Sequence, residues 1–111
     1  MTQTLQKIEP TAAQGRDEVI VRLKRHETEI RAYLATGLYL FGSAARDELT
    51  PDSDIDVFID YDPEGPFSFV ELIRLNEFLQ VKMGRKVDLV TRAGLHRRLR
   101  ADIENSSIRV F

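Results

Sequence analysis

Leu38-Tyr39-Leu40-Phe41-Gly42-Ser43 and, after ten intervening residues, Asp54-Ile55-Asp56-Val57-Phe58-Ile59-Asp60 decide the fold. The first is a short apolar run closed by glycine, the pattern of a buried strand that stops at a turn. The second alternates: Ile55, Val57 and Ile59 on one side, Asp54, Asp56, Phe58 and Asp60 on the other. That is a strand with one buried face. Between them, Ser43 to Arg46 starts a short helix and Leu49-Thr50-Pro51-Asp52 carries turn chemistry.

Upstream, Val19, Leu23, His26, Ile30 and Tyr33 recur at spacings of four and three, one face of a helix predicted from Arg16 to Ala35 and ended by Gly37. Glu27 and Arg31 support it at i and i+4. Downstream, Ser68 and Glu71 form a capping box before an apolar run, predicting a helix from Phe69 to Met83 stopped by Gly84. Lys86 to Thr91 reads as a third strand, Thr91 as the cap of a last helix carrying Leu95, Leu99 and Ile103, and Ser107 to Phe111 as a final short strand. The order is α-β-β-α-β-α-β, an α/β (α+β) arrangement. Residues 14–111 form the single expected domain, and residues 1–13 are expected to be a flexible N-terminus.

The 111 residues contain 42% hydrophobic and 31% charged side chains, the balance of an ordinary globular domain. Without cysteine there is no disulfide scaffold, thiolate zinc site or cysteine nucleophile. No apolar run approaches the roughly 18 residues of a membrane span, and residues 1–15 lack an apolar signal core, so a cytoplasmic location is expected. The net charge of −2 hides an asymmetry. Eight acidic residues and one basic residue lie between Ala44 and Glu64, and six basic and one acidic between Arg85 and Arg100. The acidic block suits divalent cations and the basic block suits a phosphate. The chain is not basic enough for a dedicated nucleic-acid binder.

The carboxylates carry the chemistry. Asp54 and Asp56, two apart in a strand, point the same way with Cα atoms about 6.5 to 7 Å apart. Their mutual repulsion is removed by a hard cation such as Mg²⁺, which takes carboxylates and substrate phosphates as ligands. Asp88, between Val87 and Leu89, is costly in a core strand unless paired or ligated, and completes the cluster if the second and third strands are neighbours. Gly42 lets backbone approach a ligand closely. Ser43 offers a hydroxyl and an N–H to a phosphate, and Arg46 reaches either a phosphate or the nearby carboxylates. Asp60 reads as a solvated strand end, His26 as a packed or partner-facing residue, and His96 with Arg97, Arg98 and Arg100 as a solvated surface.

Gly42-Ser43, ten residues, Asp54-Ile55-Asp56, then Asp88 on a later strand: this pattern resembles the minimal nucleotidyltransferases of the DNA polymerase β superfamily, whose signature is GSxARG followed by SDxD. Gly42, Ser43, Ala45, Arg46, Ser53, Asp54 and Asp56 match it, while Asp47 stands where the family often has glycine. The resemblance covers Leu38 to Thr91. It implies a palm-like mixed sheet with Asp54, Asp56 and Asp88 on one face as catalytic residues and metal ligands. It also implies two Mg²⁺ ions, ATP as substrate, and nucleotide contacts from Gly42, Ser43, Arg46 and Ser53. A core this small resembles the antitoxin half of HEPN–MNT pairs, a type VII-like toxin–antitoxin arrangement in which AMP is added to a tyrosine of a HEPN RNase toxin. Two other readings stand beside it: a nucleotidyltransferase with a small-molecule acceptor, and a non-catalytic antitoxin that inhibits by binding. No membrane association and no direct nucleic-acid contact are expected.

Overall fold

The computed structural model describes residues 11–111. Four strands form one mixed sheet in the order β3-β2-β1-β4: β1 Ala35–Phe41, β2 Ile55–Tyr61, β3 Val87–Thr91 and β4 Ile108–Arg109. β1 runs antiparallel to β2 and β4, whereas β2 and β3 are parallel. A parallel pair needs a crossover, and the helix α4 (Phe69–Met83) supplies it.

α4 forms where its sequence signals say it should. Ser68 and Glu71 close the expected capping box, and Gly84 ends the helix in the left-handed region at φ 68°. That conformation costs glycine little and a side chain much. Leu75, Leu79 and Met83 turn its apolar stripe inward. They meet Ile55, Val57 and Ile59 of β2, Leu38 and Leu40 of β1, and Val87 and Leu89 of β3 in one core with Val19, Leu23 and Ile30. α4 and the helical segment before β1 therefore cover one face of the sheet and leave Asp56, Phe58 and Asp60 on the other.

Several expected boundaries shift. The long first helix is two helices, α1 (Arg16–Arg25) and α2 (Glu27–Ala32), broken at His26, whose ring packs edge-on against Phe78 at 5.8 Å. Leu34, at φ 76°, and not Gly37, turns the chain out of α2. Gly37 lies inside β1 at a register shift, close to the Phe111 carbonyl and the Asp60 carboxylate, where a bulge accommodates it. Thr91 caps a single 3₁₀ turn, Arg92–Gly94, by accepting the Gly94 N–H at 3.1 Å. Leu95 then adopts an extended conformation and is buried, so the last helix, α5, runs only from Arg100 to Ser106. Leu99 is left half exposed rather than on a buried stripe.

Of the segment expected to be flexible, residues 1–10 lie outside the described residues. Its described end is tied to the domain: Ala13 is fully buried and its N–H donates to the Met83 carbonyl at 3.0 Å.

Candidate active site

The open face of the sheet is built by strand alternation and register. With Ile55, Val57 and Ile59 in the core, Asp56 and Phe58 face outward, and the parallel register sets Asp88 directly beside Asp56. Asp88 is exposed, contrary to the expectation of an acid embedded in a core strand. β3 is the sheet edge, and Val87 and Leu89 take the buried side, so Asp88 stands in solvent beside the half-buried Asp56. Asp54 precedes β2, and its Oδ2 lies 3.9 Å from the Lys86 ammonium, which precedes β3.

Asp56 is the half-buried member. Its carboxyl is held above the ordinary value of 3.8, first by burial, then by the charges of Asp88 and Asp54, with Arg46 pulling the other way. Three carboxylates thus share one electrostatic neighbourhood with too little positive charge. Gly42 closes the site on the β1 side. It has φ +70°, and a Cβ built there would lie 2.3 Å from Asp56 Oδ2. Only glycine permits both that backbone conformation and that approach.

Gly42 also opens α3 (Gly42–Ala45), which places Ser43, half-buried, in the turn beside the carboxylates. Arg46 follows, exposed, with its Nε donating to Glu48 Oε1 at 2.8 Å. Asp47 occupies the left-handed region at φ 58°, and its Oδ1 accepts the Arg16 N–H at 3.0 Å. A residue that departs from the signature thereby caps the first turn of α1 and ties the α3 turn to that helix. Ser53 has a turn-closing partner set: its hydroxyl accepts from the Thr50 N–H at 3.0 Å and lies 2.9 Å from Thr50 Oγ1.

Whether a divalent cation suits this set turns on donor chemistry and space. Hard oxygen donors on one face, a carboxyl raised by its acidic neighbours and a backbone stripped of a side chain at Gly42 fit Mg²⁺. The side chains do not form a closed cage, however: among the described residues no three His, Cys, Asp or Glu side chains converge as a metal-holding group. The three carboxylates expected from the resemblance therefore share one electrostatic neighbourhood but are not drawn together.

Asp60, read from sequence as a solvated end, is instead clamped. Arg92 donates to both its oxygens, at 2.7 and 2.9 Å, and to Glu104 at 2.8 Å. The guanidinium also lies over the rings of Tyr39 and Phe58, at 4.8 and 5.0 Å, and those rings stack on each other at 4.7 Å. Phe58 is fully buried on the face away from the main core because this cluster covers it. Arg92 was legible only as one member of a basic block; its partner 32 residues away leaves no local signal. A cavity of about 370 Å³ lies beside the turn before Asp54, lined by Gln14, Thr50, Pro51 and Arg85 among others, and not over the carboxylates. The chemistry of the carboxylate face, rather than concavity, marks it as the candidate site.

The nucleotidyltransferase domain model matches residues 23–110 of this chain. MJ1379 of Methanocaldococcus jannaschii, provisionally named a protein adenylyltransferase, is 39% identical over 75 residues, 67% of this chain and 75% of that protein. The protein adenylyltransferase MntA of Thermococcus cleftensis is 35% identical over 80 residues, 71% of this chain and 79% of that one. A solved structure provisionally described as a minimal nucleotidyltransferase superposes with a TM-score of 0.73 at 26% identity, covering 85% of this chain and 94% of that one. A further fold neighbour is the complex of a tri-AMPylated Shewanella oneidensis HEPN toxin with its MNT antitoxin. It has a TM-score of 0.57 at 18% identity, over 79% of this chain and 68% of that one.

Proposed function

This chain belongs to the nucleotidyltransferase domain family, and we propose that within it the chain transfers AMP from ATP to a tyrosine hydroxyl of a cognate HEPN toxin, and so acts as its antitoxin. The observation that carries the reading is the open carboxylate face: Asp54, Asp56 and Asp88 beside a glycine turn that no side chain obstructs. The relatives named as protein adenylyltransferases support a protein acceptor. The fold neighbour seated on an AMPylated HEPN toxin supports the toxin as that acceptor.

In this mechanism the acceptor oxygen attacks the α-phosphorus, the bond to the β-phosphate's bridging oxygen breaks, and pyrophosphate leaves. Asp54, Asp56 and Asp88 would hold two Mg²⁺ ions. When bound, these supply Lewis-acid stabilisation of the charge on the attacking and leaving oxygens. Gly42 and Ser43 admit the triphosphate to the end of β1, and Arg46 adds a cation at the rim. Ser53 acts by closing the turn that delivers Asp54. Asp88, exposed on the same face, accepts the proton of the incoming hydroxyl. AMP on the toxin would set phosphate charge into an RNA-binding surface and repel RNA.

The test incubates the chain, ATP labelled at the α-phosphate, Mg²⁺ and a candidate HEPN-family partner protein, and reads intact mass. A gain in whole AMP units on the partner, lost with Asp54→Ala plus Asp56→Ala, is expected. Label appearing instead on a soluble acceptor without the partner moves the activity to small molecules. Tight inhibition retained by the double variant, with no label, makes the protein a binding antitoxin.

A further inference from the structure

Arg85 has no part in the carboxylate face, yet three carbonyls from two stretches of backbone meet at its guanidinium. Nη1 donates to the Ala13 carbonyl at 2.8 Å, and Nη2 donates to the Thr50 and Ser53 carbonyls, each at 2.5 Å. Among the described residues its Nε is buried with no partner. The turn it grips is closed within itself by the Ser53 N–H donating to the Thr50 carbonyl at 3.0 Å. The Ser53 carbonyl belongs to the peptide that leads into Asp54. One residue beyond Asp54, the Ile55 N–H donates to the Lys86 carbonyl at 3.0 Å. The dipeptide Arg85-Lys86 therefore holds the chain on both sides of Asp54, by side chain before it and by backbone after it.

The arrangement calls for arginine. A planar fork reaches several fixed acceptors at once, whereas a lysine ammonium is a single point on a rotating stem. It is also an expensive way to fill space. A half-buried guanidinium with an orphan N–H costs desolvation that an apolar side chain would not. Convergence on the turn that aims a carboxylate gives that cost a purpose.

We propose that Arg85 is a positioning residue for Asp54, fixing the Thr50–Ser53 turn so that the carboxylate is presented to the face it shares with Asp56 and Asp88. The idea rests on the reading of that face as the transfer site, but the first of its two readouts does not. Arg85→Lys and Arg85→Gln are made in the full chain. Amide hydrogen exchange at Ser53 and Ile55 rises about 10-fold or more while that of Leu40 in β1 is unchanged, because the opening is local. In the AMP-transfer assay with the candidate HEPN-family partner, kcat falls at least about 10-fold and the KM for ATP stays within about 3-fold, as for a misplaced group that does not contact the nucleotide. Exchange that rises evenly across the domain, or local exchange that rises with kcat unchanged, overturns the proposal. A wild-type chain that transfers no AMP overturns the transfer reading instead, and the exchange pattern alone then decides whether Arg85 holds the turn.

Discussion

Asp56 and Asp60 lie four residues apart on the same side of β2, and the chain treats them in opposite ways. Asp60 is gripped by Arg92 through two hydrogen bonds, which hold its carboxyl below the ordinary value of 3.8. Asp56 is pushed above that value by burial and by Asp88 and Asp54. One end of the strand has its charge balanced within the fold; the other is left short of positive charge. A fold keeps such an imbalance where something outside the protein supplies the missing charge. The comparison points to stability at the Asp60 end and, on the proposed function, to chemistry at the Asp56 end.

Short of removing the Asp56 charge itself, the largest expected effect breaks the space beside it. Gly42→Ala places a methyl 2.3 Å from Asp56 Oδ2 at φ +70°. AMP transfer should fall on the order of 100-fold through displacement of the carboxylate, and the melting temperature should fall by several degrees, read by circular dichroism. Activity within a factor of two of wild type would mean that the glycine turn does not shape the site.

At the other end, Arg92→Met should cost about 2 kcal/mol in urea unfolding, from two charge-assisted pairs and the cover over Tyr39 and Phe58. Transfer activity should persist in the folded fraction. The pH dependence follows from the sign. Asp60 has a lowered folded pKa, so its contribution is present above the unfolded value and is lost as pH falls through the folded one. Arg92→Met should therefore flatten the acid limb of the stability profile.

Asp47 supplies a smaller contrast. Asp47→Ala keeps the left-handed φ of 58° and loses the bond to the Arg16 N–H, so it should cost about 1–2 kcal/mol; Asp47→Gly relieves the backbone and should cost less than about 1. Equal losses would show that the cap, not the backbone, dominates. The smallest effect is a gain. The raised pKa of Asp56 means that the folded state prefers the protonated form, so the fold loses stability as pH rises through the folded value. Asp56→Asn should raise the melting temperature at pH 7 and leave it nearly unchanged at pH 3. A lower melting temperature at pH 7 would remove the imbalance on which the comparison rests.

Much of this was legible because it is local. Ser68, Glu71 and Gly84 bound α4 to the residue, since caps and left-handed stops depend on near neighbours. Alternation put Asp56 on the open face of β2, and the crossover brought Asp88 beside it. Where tertiary contacts decide, the sequence is silent. The break at His26 answers to Phe78, and the reach of β1 back to Ala35 answers to Tyr61 across the sheet. Nothing near Asp60 announces Arg92, and nothing near Asp54 announces that Arg85 grips the turn before it. Asp88 was placed correctly for the wrong reason: its flanking valine and leucine suggested burial, but on an edge strand they fill only one side.

The most direct test sets Asp56→Asn against Asp60→Asn in one AMP-transfer assay with a candidate HEPN-family partner, reading partner mass over time. Both substitutions remove one charge from the same face of the same strand. Transfer should fall on the order of 1000-fold for Asp56→Asn, as for loss of a group that stabilises transition-state charge, and by less than about 3-fold for Asp60→Asn at a temperature where both are folded. Loss of transfer with Asp60→Asn and its retention with Asp56→Asn would contradict the account and move the chemistry to the other end of β2.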